Sequence, residues 1–400
     1  MQNLQEQPFT RRSLILPIYF PAFLLSVGGG ILIPIFPEYA KSFNPSYSLM
    51  GLVLGMQGVG VLIADVPAGI LIERTGRKSS MLIGAAVVGL STLAVGLAHT
   101  VLELLVYQLI AGIGSALWTI ARYTYLTDAV PIEARGMSLA MFGGVSRIGT
   151  FLGPAFGGFI GQHYGLSAPF FACAAIMGVN FLFCLFFIHE TKGASVVGPR
   201  RLHLKQFIDI LKTHHRALLT AGMGQICVQT LRAGRRIIII LYGRDVLGLD
   251  RGTVGLIFSL SSFIDMVMFP VAGFIMDRFG RRYAIVPCFF IFATGMAMVP
   301  LTGSYLTLLI AGIVMGLGNG LGSGTMMTTG ADLAPRDGTG EFLAVWRLIG
   351  DVGHAAGPWI VGEIADVSGL GLSAVALAGV GYMAVAIFLW LVPETSRQRK

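Results

Sequence analysis

Long runs of apolar residues, separated by short polar connections, extend along the whole 400-residue chain. A transmembrane helix needs about 20 mainly apolar residues. The runs show no period-two alternation, and only helices and closed barrels satisfy their backbone in lipid, so the pattern favours helices. It predicts twelve spans, over 14–36, 48–72, 79–98, 102–126, 137–160, 167–188, 216–242, 252–276, 284–302, 305–329, 341–364 and 371–392.

The composition agrees with a chain that lies mostly in lipid. Only 12% of the residues are charged and 54% are hydrophobic, with a mean hydropathy of +0.76, whereas a soluble domain carries about 25% charged residues. The 54 glycines suit membrane helices, which use small residues to approach closely.

The net charge of +8 does not indicate a nucleic-acid partner, because the positive residues fall in alternate connections. The opposite connections hold little beyond Lys41, Arg244 and Arg251. This asymmetry is the positive-inside rule, and it predicts a multi-pass protein of the plasma membrane with both termini in the cytoplasm. The residues on the predicted inner side are Arg11, Arg12, Arg74, Arg77, Lys78, Arg135, Arg200, Arg201, Lys205, Arg278, Arg281, Arg282, Arg336, Arg397, Arg399 and Lys400.

One short stretch occurs twice. Residues 69–78 read GILIERTGRK, and residues 273–282, which begin 204 positions later (273 − 69), read GFIMDRFGRR. Three further pairs keep this offset, namely Asp128 with Asp332, Gly153-Pro154 with Gly357-Pro358, and Glu190 with Glu394. We therefore predict two repeated halves, 1–188 and 216–400. In the basic linker 189–215 between them we expect a short amphipathic helix over 202–211, suited to the inner membrane surface.

The repeated stretch resembles the signature loop of the major facilitator superfamily, and the resemblance covers essentially the whole chain. It implies twelve helices in two pseudo-symmetric six-helix bundles, with a substrate site between them. It also implies a cytoplasmic gate in which a carboxylate pairs with an arginine or accepts from the N-terminus of a neighbouring helix. The alternative is that the loops only set topology. The gate residues are Glu73, Arg74, Gly76, Arg77, Asp277, Arg278, Gly280 and Arg281.

Two further stretches resemble motifs of the drug/proton antiporters in this superfamily. Gly149, Gly153, Pro154, Gly157 and Gly158 match the antiporter motif of exporters, although generic small-residue packing is an alternative. The stretch that begins at Gln108 resembles a motif whose first residue is normally arginine. That departure means that proton coupling is either absent or carried by other residues.

Ionisable residues inside the predicted spans are candidates for the substrate or proton pathway, because each costs about 2.5–3.5 kcal/mol at a helix centre. Arg347 and Asp351 lie one turn apart, and His354 lies one turn further on; His titrates near neutral pH. A structural role for these pairs is the alternative. The three arginines of the seventh span either extend to the surface or face the cavity, where they would favour an anionic or zwitterionic amphiphile. The candidates are Asp65, Asp265, Arg232, Arg235, Arg236, Arg347, Asp351, His354, Gln108 and Gln229.

We therefore expect a secondary transporter that exports drugs or amphiphilic small molecules in exchange for protons by alternating access. The alternatives are a facilitator or symporter of a small metabolite or organic anion, and a membrane sensor that transports nothing. We expect no enzymatic activity, no cofactor and no metal, since the four cysteines lie in apolar runs without ligand spacing. The expected partners are a small-molecule substrate, protons and membrane lipids, and we expect a monomer.

Overall fold

The computed structural model describes residues 15–130, 132–188, 190, 210, 212–335 and 338–395, and every regular element in them is helical. The first six helices are α1 (Phe20–Leu32), α2 (Tyr47–Thr75), α3 (Arg77–Gly96), α4 (Val101–Ala129), α5 (Ile132–Tyr164) and α6 (Ala168–Phe187). The next four are α7 (His215–Leu241), α8 (Arg251–Arg278), α9 (Arg281–Met298) and α10 (Tyr305–Leu321).

The stretch Thr339–Ala386 is two helices rather than one. Gly369 interrupts it with φ +82° and ψ 165°, a conformation that favours glycine, so α11 covers 339–368 and α12 covers 370–386. Eight helices of the described residues are long and apolar enough to cross a membrane, and the last of these, Thr339–Leu391, holds both α11 and α12. Large apolar side chains such as Phe186 and Trp390 are 69% and 77% exposed on the outside, as expected for a surface that meets lipid.

Two predicted spans are broken where the sequence pattern was continuous. The span predicted over 14–36 ends at Leu32 and is followed by a separate helix, Phe36–Lys41. Pro34 has no N–H to give to the Gly30 carbonyl, which instead accepts from the Ile33 N–H at 3.2 Å. The predicted span 14–36 is therefore divided into two helices, with the break at Ile33–Ile35.

The span predicted over 305–329 breaks in the same way. After α10 the chain turns and resumes as the helix Thr325–Leu333, and Gly324 makes the turn possible because it adopts φ +77°. The predicted amphipathic helix over 202–211 lies outside the described residues except for position 210. The predicted bounds 1–188, 189–215 and 216–400 remain a prediction.

The two sets of six helices pack in the same pattern. In the first set α1 contacts α5 and α6, while α4 contacts α2 and α3; in the second set α7 contacts α11 and α12, while α10 contacts α8 and α9. The sets meet where α2 crosses α11 and where α5 crosses α8. At these crossings Gly51 lies against Pro358 and Gly255 against Pro154, with no space for a side chain. The expected architecture of two pseudo-symmetric bundles is confirmed.

Candidate functional site

A central cavity of about 430 Å³ lies between the two bundles, lined by α1, α2, α4, α7 and α11 among others. Apolar side chains such as Met177 and Phe36 form much of its wall. Among the described residues that line it, Arg236 carries the one permanent charge. The polar side chains facing this cavity are Ser26, Gln57, Thr92, Gln108, Ser115, Thr150, Arg236 and His354.

A second chamber of about 200 Å³ adjoins the central cavity and shares Gly58, Val61, Ser115 and His354 with it. Its charged residues are Arg347 and Asp351. Arg347 Nη2 lies 3.3 Å from Asp65 Oδ1 across the bundle interface, and Arg347 Nε lies 3.6 Å from Asp351 Oδ2 on its own helix. One guanidinium therefore serves two carboxylates, and His354 stands where this cluster opens into the central cavity.

Asp265 of α8 is the centre of a second buried network. Its carboxylate lies 2.8 Å from Arg147 Nη1 on α5 and 3.9 Å from Arg235 Nη1 on α7. Asn319 Nδ2 of α10 and Ser323 Oγ in the turn after α10 also donate to it. Arg235 is only 4% exposed and donates to Ser261 Oγ at 2.6 Å. Burial of these charges is tolerated because each has a partner.

Arg232 holds the break between α10 and the following helix. Its Nη2 donates to the Gly322 carbonyl at 3.0 Å, and its Nε donates to Asn319 Oδ1 at 2.9 Å. A carbonyl freed at a helix end needs a new partner in lipid, and Arg232 supplies it. Gln229 accepts from Arg232 at 3.3 Å. Of the three arginines of α7, two are thus bound in networks and Arg236 faces the cavity, so none extends to the membrane surface.

The two ion pairs that cross the bundle interface are arranged equivalently. Each places an arginine on α5 or α11 and an aspartate on α8 or α2. Arg147 and Arg347 are 200 positions apart (347 − 147), and so are Asp65 and Asp265 (265 − 65). This offset of 200 is one helical turn shorter than the repeat offset of 204. The two ion pairs therefore do not occupy equivalent positions when the two halves of the sequence are aligned by the repeat.

The end of the molecule that carries the repeated loops, here called the loop end, contains two equivalent clusters. Glu190 accepts from the backbone N–H groups of Arg77 and Lys78 at 2.6 and 3.1 Å, at the start of α3. Glu394 accepts likewise from Arg281 and Arg282 at 2.9 and 3.0 Å. The acceptors at these positive helix ends are therefore Glu190 and Glu394, whereas the sequence analysis assigned that role to Glu73 and Asp277.

The arginine side chains of the loop end contact carboxylates of their own bundle. Arg77 Nε lies 3.0 Å from Asp128, and Arg281 Nε lies 2.9 Å from Asp332. Arg281 also contacts Asp277 at 3.3 Å, although the Asp277 side chain is 82% exposed. Of the other predicted gate residues, Glu73 and Arg74 are exposed, and Gly76 and Gly280 precede α3 and α9. Arg278 lies beside the rings of Phe274 and Phe279.

The opposite end, here called the sealed end, is closed by polar contacts between the bundles. Glu38 of the first bundle accepts from Arg244 at 3.0 and 3.1 Å and from Arg251 at 2.8 to 3.1 Å. Asp366 accepts from the backbone N–H groups of Tyr47 and Ser48, both at 2.8 Å. Lys41 Nζ lies 2.6 Å from Asp245. These contacts join the bundles at this end.

Glu38 has a lowered pKa in this arrangement. Burial works to raise the pKa, but the hydrogen bonds and positive charges of Arg251 and Arg244 outweigh it and bring the pKa below its ordinary value of 4.5. In the sequence, Arg244 and Arg251 stand out only as rare charges on the predicted outer side. Their partner Glu38 was missed, because nothing in the local pattern separates it from other loop carboxylates.

The glycines of the predicted antiporter motif form the α1–α5 contact. A methyl group on Gly149 would lie 2.6 Å from Ser26 Cβ, one on Gly153 would lie 2.5 Å from Gly30 Cα, and one on Gly157 would overlap the Ile31 carbonyl. Gly158 faces the other bundle instead, against Arg251. Pro154 lies in the interior of α5.

Comparison with known proteins agrees with this architecture. The sequence profile of the Major Facilitator Superfamily matches residues 18–242 and 223–400. The chain belongs to this superfamily. It is accordingly a multi-pass secondary transporter of small molecules and not an enzyme.

The chain is similar to several individual members of the superfamily. It is 25% identical to the Multidrug resistance protein MdtG of Salmonella dublin, with 92% of each chain covered. It is 30% identical to the class E tetracycline resistance protein of Escherichia coli over 66% of each chain. A solved bacterial homologue of the human lysosomal transporter Spinster, in an inward-facing and unoccupied conformation, superposes with a TM-score of 0.81 at 14% identity, covering 97% and 98% of the two chains.

One buried cation of this superfamily member was missed by the sequence analysis. Arg122 of α4 is 7% exposed, and its guanidinium lies 4.2 Å from the Trp118 ring centroid and 4.1 Å from that of Phe142. Its Nε has no hydrogen-bond partner among the residues that the structure describes. The sequence signal for this buried arginine was Trp118, four residues earlier, because that spacing places an aromatic ring one turn away on the same helix face. The described residues contain no cluster of His, Cys, Asp and Glu that would hold a metal.

Proposed function

We propose that this transporter exports amphiphilic small molecules in exchange for protons, with 1–188 and 216–400 as the two rocking halves and the loop end in the cytoplasm. The relatives named for multidrug and tetracycline resistance support export. The positive residues at the loop end support its orientation. The sealed end is closed by contacts between the bundles. In this proposal it faces away from the cytoplasm, so the closed conformation is the one in which an exporter binds its cytoplasmic substrate.

The observation that carries the proton coupling is the cluster of Asp65, Arg347 and Asp351. One guanidinium cannot neutralise two carboxylates, so one negative charge remains, and a proton on either carboxylate cancels it. Asp65 belongs to one bundle and Arg347 with Asp351 to the other, so the protonation state changes the attraction between the bundles. His354 lines both the chamber that holds this cluster and the central cavity, so it lies on the route between them.

The proposed substrate carries an anionic or zwitterionic head on an apolar body. The interior of the interface holds five arginines (Arg147, Arg232, Arg235, Arg236 and Arg347) against three aspartates (Asp65, Asp265 and Asp351), an excess of two positive charges. Arg236 is the group free to meet the substrate, since Arg235 is bound to Asp265. Reversing the charge of Arg236 should abolish transport of an acidic substrate. Unchanged transport in that variant would reject this substrate class.

Transport in inside-out vesicles tests the coupling. Wild type should accumulate an acidic amphiphilic dye when the vesicle lumen is acidified and lose this uptake when the pH gradient is collapsed. Asp65→Asn and Asp351→Asn should each remove the response to the gradient. Asp250→Asn is the matched control, because Asp250 only caps the start of α8. Uptake that is independent of the gradient would indicate a facilitator, and uptake driven by the opposite gradient would indicate a symporter.

A further inference from the structure

An apolar groove of about 330 Å³ lies on the first bundle between α2 and α4. Its floor contains Ala64 and Ala68, one turn apart on α2, whose small side chains leave a trough beside Ile113 and Leu117 of α4. Ile70 and Leu71, which are 43% and 37% exposed, form its rim. The groove is separate from the central cavity.

One charged residue, Arg74, lines the groove, next to the last residue of α2. It is exposed and forms no ion pair within the described part of the chain. From Ala64 to Arg74 the helix rises about 15 Å, half of the roughly 30 Å hydrocarbon core. The groove therefore runs from the membrane surface at the loop end to the middle of the bilayer, the depth of one leaflet.

We propose that this groove is a binding site for an anionic phospholipid, with an acyl chain along the alanine floor and the headgroup phosphate on Arg74. The length of the groove matches one leaflet, and its single charge lies at the height of the headgroups. A guanidinium suits a phosphate oxygen pair. A basic residue at the membrane surface attracts anionic lipids in particular, which distinguishes this occupant from a zwitterionic lipid.

The second half of the chain provides a matched control. Arg278 is the repeat equivalent of Arg74 (74 + 204), but its guanidinium lies beside Phe274 and Phe279, at 5.7 and 5.9 Å from the ring centroids. Phe274 stands at the position equivalent to Ile70 (70 + 204). The same loop motif therefore presents its arginine to aromatic rings in one half and to an open groove in the other.

The test is lipid binding to the purified full chain in neutral detergent, followed by native mass spectrometry with phosphatidylglycerol and phosphatidylcholine of identical acyl chains. Wild type should prefer phosphatidylglycerol. Arg74→Gln should weaken its binding about five-fold, Arg74→Lys should retain it, and Arg278→Gln should leave it unchanged. Ile70→Phe, which copies the second half and narrows the groove, should weaken binding of both lipids.

Several results would overturn the proposal. These are equal binding of the two lipids to wild type, an Arg74→Gln protein that binds like wild type, and an equal loss in Arg278→Gln. Displacement of the lipid by glycerol phosphate, which lacks chains, would show a headgroup site without the groove. Displacement of the bound lipid by the transported dye would instead indicate that the groove is an entrance for the substrate. Thermal unfolding of each variant serves as the folding control.

Discussion

Glu38→Gln should shift the transporter from the state closed at the sealed end towards the state open there. Glu38 is the shared acceptor of Arg244 and Arg251, which belong to the other bundle. Removing one partner of a buried ion pair costs about 3 kcal/mol or more. The two arginine side chains are 25% and 27% exposed, so water compensates part of this loss, and we expect about 2 kcal/mol. That corresponds to about a 30-fold change in the equilibrium between the two states.

The assay is the distance between spin labels on the two bundles at the sealed end. Tyr164 and Leu301 are 74% and 84% exposed and accept cysteine substitutions. The four native cysteines are buried, which protects them from the label. Double electron–electron resonance should show a longer distance population in Glu38→Gln. Glu103→Gln is the control, because Glu103 caps α4 at the same end within one bundle.

The pH dependence follows from the lowered pKa of Glu38. A carboxylate with a lowered pKa in the closed state stabilises that state above its ordinary pKa of 4.5. The contribution is lost as the pH falls through the lowered value. The open population of wild type should therefore rise as the pH falls below about 4.5, and Glu38→Gln should lack this pH-dependent rise. A distance distribution in the variant identical to that of wild type at neutral pH would refute the reasoning.

Three further variants test the packing and the buried charges by thermal unfolding in detergent. Asp265→Asn leaves Arg147 without its carboxylate, so we expect a loss of about 3 kcal/mol, and an unchanged midpoint would contradict it. Gly157→Ala should destabilise by about 1–3 kcal/mol through overlap at the α1–α5 contact, whereas Gly143→Ala on the same helix, where nothing lies within 4 Å, should not. Arg122→Met puts an apolar side chain in place of a buried guanidinium whose Nε lacks a hydrogen-bond partner among the described residues. It should therefore raise the unfolding midpoint, and a lower midpoint would argue against this explanation.

The fold was predictable from the sequence because two independent signals agreed. The lengths of the apolar runs predicted the number of transmembrane spans. The repeat offset of 204 residues predicted that these spans form two equivalent halves. The sequence did not decide whether the chain bends or ends after α1 and α10, because proline and glycine inside an apolar run are compatible with both. Which occurs depends on tertiary partners. At Gly322 the deciding partner is Arg232, 90 residues away.

The candidate site was predictable in its membership but not in its pairing. The cost of burying a charge singled out Asp65, Asp265 and Arg347 from the sequence alone. Their partners come from other helices, and a pairing such as that of Asp65 with Arg347 across 282 positions has no local signature. The loop-end clusters illustrate the same point, since Glu190 and Glu394 were recognised as repeated without any indication that they bind α3 and α9.

The two ion pairs at the α2–α11 and α5–α8 crossings have a mechanical consequence. In a body that tilts about its middle, atoms near the fulcrum travel least, while atoms at the rims travel furthest. Arg147–Asp265 and Arg347–Asp65 lie close to that fulcrum and are positioned to survive the swing, whereas the Glu38 contacts at the rim must break. A force at the fulcrum has almost no lever arm, so these two pairs hold the halves together through the swing, while the contacts at the rim decide which end is closed.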